Sequence, residues 1–144
     1  MSTLRILFYS SSIGLGHVTR DLAIARAIRD AHPDVHVDWL ASSPAREHLA
    51  QAGEHLHPRT RGLSDATGAA EAFMRRGRFN ITRWAVAVRK TWAADGRLVL
   101  AAAADGEYDV LIGDEAYDVA MALTGGAPPP DCRRFILYDF LGLD

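Results

Sequence analysis

Short, nearly continuous apolar runs alternate with segments of helical period along this chain, and that alternation restricts the fold more than any other feature. Residues 4–9 (LRILFY), 35–41 (VHVDWLA), 108–112 (YDVLI) and 134–138 (RFILY) read as strands. Runs of this kind suit strands covered on both faces. Between the first two, residues 17–31 place Leu22, Ala25 and Ile28 on one side of a helix. His32-Pro33-Asp34 ends it, because the residue before a proline is pushed out of the helical region. Ser42-Ser43-Pro44 reads as a cap leading into a short helix through Ala52, with Gly53 behind it, and residues 54–58 as a brief further strand. Residues 59–78 hold scattered glycines with little periodicity and read as a long loop or loosely helical excursion. Residues 80–104 read as a long helix that Gly96 breaks or bends, residues 116–123 as another helix, and the proline-rich stretch 125–131 as a turn. Strands joined through helices must run parallel with helices on both faces. The expected fold is therefore an α/β, doubly wound, mainly parallel sheet of Rossmann-like type, occupying residues 1–144 as one domain.

Composition narrows the function. Apolar residues make up 49% and charged residues 24%, enough to bury a core without help. The single cysteine, Cys132, makes neither an internal disulfide nor a thiolate zinc cage, so redox and structural-metal roles are not expected and a reduced compartment is. No apolar run is long enough to span a bilayer, and the start of the chain lacks a secretory pattern, so a cytoplasmic location is expected. The net charge of -2 argues against a nucleic-acid partner. That average conceals a segregation: residues 66–94 carry six basic groups and one acidic, and residues 95–144 carry three basic and ten acidic.

In a doubly wound sheet the ligand crevice lies at the carboxyl ends of the strands. The first such turn here is Ser10-Ser11-Ser12-Ile13-Gly14-Leu15-Gly16-His17. Gly14 and Gly16 allow close backbone approach, Ser11 and Ser12 offer hydroxyls, and the following helix directs unpaired N–H groups and Arg20 at the same place. Such a turn suits an anion or a sugar, although a Gly-x-Gly turn also serves geometry alone. The dinucleotide fingerprint fails at Thr19, where a third small residue is required, and no Gly-Lys-Ser/Thr follows for a phosphate-binding loop of the Walker kind. His17 stands directly after the turn, and an ordinary imidazole is largely free base at neutral pH, able to take a proton from a hydroxyl or simply to cap the helix.

Residues 6–41, with the strand, the Gly14-Leu15-Gly16-His17-Val18-Thr19-Arg20 turn, the helix and a second strand ending Leu40-Ala41-Ser42, resemble the start of GT-B glycosyltransferases. The likeness is to the group that holds the bacterial peptidoglycan N-acetylglucosaminyltransferase and the nucleotide-sugar-dependent glucosyl- and glucuronosyltransferases. The resemblance implies that His17 is the general base for an acceptor hydroxyl and that Asp114, at the end of the Asp109–Asp114 run, orients it. Asp21 and Glu115 are the rival partners for His17, and a helix N-cap is the rival role for Asp114. It also implies a second Rossmann-like domain for the nucleotide-sugar donor, for which these 144 residues have no room. The expectation is thus an acceptor-binding half, inactive by itself, with no cofactor or metal of its own. Its partners would be a small-molecule or lipid-linked acceptor and a C-terminal donor-binding domain. Arg75, Arg76 and Arg78 beside Phe73, Met74 and Phe79 would then offer a contact to an anionic membrane surface, or merely a solvated face. A non-catalytic phosphate- or sugar-binding module and half of a nucleotide-sugar epimerase remain alternatives on the same fold.

Overall fold

The computed structural model of the chain describes residues 3–10, 15–65, 74–75, 78–79 and 81–139. Strands β1 (Arg5–Ser10), β2 (His36–Ala41), β5 (Val110–Asp114) and β6 (Arg133–Leu137) form one parallel sheet in the order β2-β1-β5-β6. Helices α1 (Leu15–Ala31), α2 (Ala45–Gln51), α3 (Ile81–Asp105) and α4 (Tyr117–Thr124) connect or follow them. The doubly wound architecture expected from the alternation is the one found.

The apolar runs lie buried because each face of the sheet has its own cover. Ile6 and Phe8 of β1 pack with Val18, Leu22 and Ala25 of α1 and Leu49 of α2, and Phe8 stacks on Trp39 with ring centroids 4.5 Å apart. Leu7 and Tyr9 point the other way, onto Val99, Leu100 and Ala103 of α3 and Val119 and Ala122 of α4. Successive residues of one strand thus serve opposite cores, as the pleat requires. Trp39 keeps a polar anchor: its indole N–H donates to Glu54 at 2.6 Å, and Glu54 also receives both guanidinium nitrogens of Arg29. Burial raises the Glu54 carboxyl, but the Arg29 and Trp39 hydrogen bonds outweigh it and hold the group below its ordinary range.

Several local expectations change. The segment after α2 does not form a full strand; it makes a single parallel bridge, Leu56 to Trp39, and then a 3-10 turn at Pro58–Gly62. Buried Thr60 in that turn accepts the Ala41 N–H at 3.1 Å, closing the end of β2. Pro44, not a serine, occupies the N-cap of α2, and no side chain caps it. Behind that helix Gly53 takes φ +77°, the left-handed position where glycine avoids the Cβ penalty. Part of the stretch read as a loop is ordered as two short antiparallel strands, β3 (Met74–Arg75) and β4 (Arg78–Phe79).

Gly96 also has a different purpose. Helix α3 runs through it without a break, and a Cβ there would lie 2.1 Å from the backbone oxygen of Asp118 in α4. The glycine is needed for close helix approach. In an exposed helix, alanine would be favoured over glycine by about 1 kcal/mol. Gly96→Ala should instead destabilise the protein by about 2 to 3 kcal/mol, because backbone cannot yield as a side chain can. Urea unfolding of the two proteins checks this, and a more stable variant would contradict the packing described.

Candidate active site at the switch point of the sheet

The two central strands, β1 and β5, send their chains to opposite sides of the sheet: β1 leads into α1 on one face and β5 into α4 on the other. Their carboxyl ends therefore flank the crevice where a doubly wound sheet binds ligands. His17, in the first turn of α1, and Asp114, the last residue of β5, meet there although 97 positions separate them.

Asp114 is fully buried and uses both oxygens. The His17 Nδ1–H donates to Oδ2 at 2.9 Å, and the Arg20 guanidinium donates to Oδ1. Arg20 also lies 3.3 Å from the same imidazole nitrogen. Since an acid and a guanidinium cannot both be served by one nitrogen, the carboxylate decides the tautomer: the proton sits on Nδ1 and Nε2 is left as the free lone pair. Asp114 does not cap a helix; the N-cap of α4 is Ala116.

The rivals occupy other roles. Asp21 does not reach His17; it accepts the Ser10 hydroxyl at 2.6 Å and is fully buried within the apolar stripe of α1, not a solvated surface acid. Burial raises its carboxyl to about 7, helped by the nearby Asp114 charge and opposed by Ser10, Arg20 and His17. Glu115 brings a carboxylate oxygen to 3.6 Å from His17 Nε2, an ion pair once that nitrogen is protonated. It holds φ +45°, a left-handed backbone that costs a non-glycine residue free energy and that clusters at functional sites. Arg20 binds Asp139 as well as Asp114, and the Asp139 hydrogen bond is the main reason its guanidinium is raised. Its charge thus braces the site. Of the turn residues, Gly16 is exposed at the start of α1, whereas Ser11, Ser12 and Gly14 lie outside the described residues.

Sequence reasoning missed a second polar layer on the α4 face. The Tyr9 hydroxyl donates to Asp118 at 2.5 Å, and the other oxygen of Asp118 accepts the Val119 N–H at 2.8 Å. Burial raises the Asp118 carboxyl to about 6 and pushes the Tyr9 phenol well above its ordinary value. Asp118 is the second residue of α4 and Tyr9 sits in an apolar strand, so nothing in local spacing pairs them. The same rim also brings donor atoms of His17, Glu115 and Asp139 within 4.8 Å of one another, but Arg20 already holds Asp139 and its charge opposes a cation there.

Against known proteins, no family model and no curated protein matches the sequence. Among solved structures the chain is similar to the glycosyltransferase SnogD from Streptomyces nogalater, with a TM-score of 0.60 at 15% identity. The match covers 96% of this chain and 47% of that one, so the chain spans about half of its length. At that identity the likeness is one of fold.

Asp21 supplies a pH test. A carboxyl raised in the folded state favours the unfolded chain, where it ionises first, so its penalty is absent below about pH 4, grows with pH, and is complete above about pH 7. Asp21→Asn, which can still accept from Ser10, should add roughly 1 to 3 kcal/mol of stability at pH 8 and little at pH 4. Chemical denaturation at both pH values checks the sign; equal gains at both would contradict it.

Proposed function

We propose that this chain is the acceptor-binding half of an inverting, nucleotide-sugar-dependent glycosyltransferase. The observation that carries the reading is the His17–Asp114 pair at 2.9 Å, set at the switch point of the sheet. The likeness in fold to a glycosyltransferase adds to it.

In this reading His17 Nε2 takes the proton of an acceptor hydroxyl as that oxygen attacks the anomeric carbon of the donor sugar. The carbon–oxygen bond to the nucleotide phosphate breaks on the opposite face, and the nucleoside diphosphate leaves with the bonding pair. Asp114 holds the imidazole in the productive tautomer and stabilises the imidazolium as it forms, while Arg20 keeps the carboxylate in place. Glu115 lies where it stabilises a proton gained at Nε2. The Ser11, Ser12, Gly14 and Gly16 turn would receive the acceptor, either a small molecule or a lipid-linked one, with the cationic segment around Arg75, Arg76 and Arg78 touching an anionic membrane in the second case. Donor binding falls to a second, C-terminal domain, and the setting proposed is the cytoplasm.

The test joins this chain to a donor-binding α/β domain and measures transfer from a nucleotide sugar. His17→Ala should lower turnover at least about a hundredfold while thermal unfolding is little changed, the usual size of a general-base contribution. Normal turnover in that variant would remove His17 from the role. Calorimetry on the chain alone separates the rival reading of a free-standing binding module: acceptor-like polyols should bind and nucleotides should not, and tight nucleotide binding by this half would count against the transferase assignment.

A further inference from the structure

A second cluster of donor atoms lies at the other end of the sheet. His36 opens β2 and Asp38 follows two residues later, so both project to the same face of this edge strand. After α2 the chain returns beside β2: the Trp39 N–H donates to the His55 carbonyl at 2.9 Å and the His57 N–H to the Trp39 carbonyl at 2.8 Å. That register sets His55 alongside Asp38. Two imidazoles then converge on one carboxylate oxygen, His36 through Nε2 at 2.9 Å and His55 through Nδ1, both on Asp38 Oδ1.

We propose that His36, Asp38 and His55 bind a divalent transition-metal ion of the Zn2+ class, which clamps the segment after α2 to the edge of the sheet. The ligand atoms all lie within 4.8 Å of one another. Ligands about 2.1 Å from a tetrahedral ion stand about 3.4 Å apart, so small side-chain rotations close the site. Two imidazoles and one carboxylate leave a fourth position open, and borderline-soft ions prefer this donor set over Ca2+ or Mg2+, which favour oxygen.

The carboxylate is held for the task. Asp38 is buried, and its second oxygen accepts the Tyr108 hydroxyl at 2.5 Å, the outer-shell contact that orients a metal-ligating carboxylate. The two histidines are exposed on the solvent side, 45% and 68% for the His36 and His55 side chains, so an ion has a direct path in. The positive groups nearby are tolerable. The Arg5 guanidinium lies over the Tyr108 ring, 5.1 Å from its centroid, and Arg59 is paired with Asp105. Cysteine content gives no hint of such a site, and the spacing of His36, Asp38 and His55 matches no compact motif; register across β2 creates it. The site lies away from His17, and its existence is independent of the transferase reading.

Chelator-treated, tag-free protein titrated with Zn2+ by calorimetry should bind one ion per chain and unfold at a higher temperature with Zn2+ present; Co2+ should give the intense visible absorption of a tetrahedral site. His36→Ala and His55→Ala remove exposed rings and should each weaken binding at least about tenfold, and Tyr108→Phe, which removes no ligand, should weaken it less. His17→Ala should bind as the parent does. No binding at millimolar Zn2+, affinity indifferent to His36 and His55, or affinity lost in His17→Ala would each overturn the proposal.

Discussion

The placement of Asp114 is the constraint on which the rim of this sheet depends. A carboxylate with no solvent exposure is costly unless its oxygens are engaged. His17 and Arg20 meet that need from the first turns of α1, and they do so by binding opposite oxygens. The pairing ties the helix after β1 to the end of β5, so the two central strands share a polar lock at the point where their connections diverge. The same lock orients an imidazole.

Behind this pair the protein keeps further acids away from water. Asp21 lies buried on α1 with the Ser10 hydroxyl bonded to it, and Asp118 lies buried on α4 with Tyr9. Burial raises both carboxyls toward neutral pH, a condition that ordinary core residues would avoid. The left-handed backbone of Glu115 adds local strain at the same rim. Within the sheet Phe8, Trp39, Leu7 and Leu111 are packed tightly in two apolar layers.

Much of the fold was legible because burial on both faces removes the alternation that half-wet strands show. All four main strands and the helices between them follow from that pattern and from the prolines and glycines that end them. The readings that failed concern residues whose role is defined by a distant neighbour. Gly96 looks like a helix breaker until Asp118 O is placed against it. Asp21 looks like a rival partner for His17 until α1 is rotated onto the sheet and the Ser10 hydroxyl meets it. The Tyr9–Asp118 pair links residues 109 positions apart and leaves no local mark at all.

The sequence by itself determined the doubly wound class, because hydrophobic period and strand–helix order make the strands parallel; that His17 and Asp114 belong together was what the resemblance to GT-B glycosyltransferases implied. The sequence could say that His17 and Asp114 stand on one rim. Only the tertiary structure decided that Asp114, among three available acids, accepts the hydrogen bond from the imidazole, since that depends on which carboxylate the fold brings within reach of Nδ1. Only the structure, too, gathered His36, Asp38 and His55, because a register between an edge strand and a returning segment is a property of packing and has no period to read.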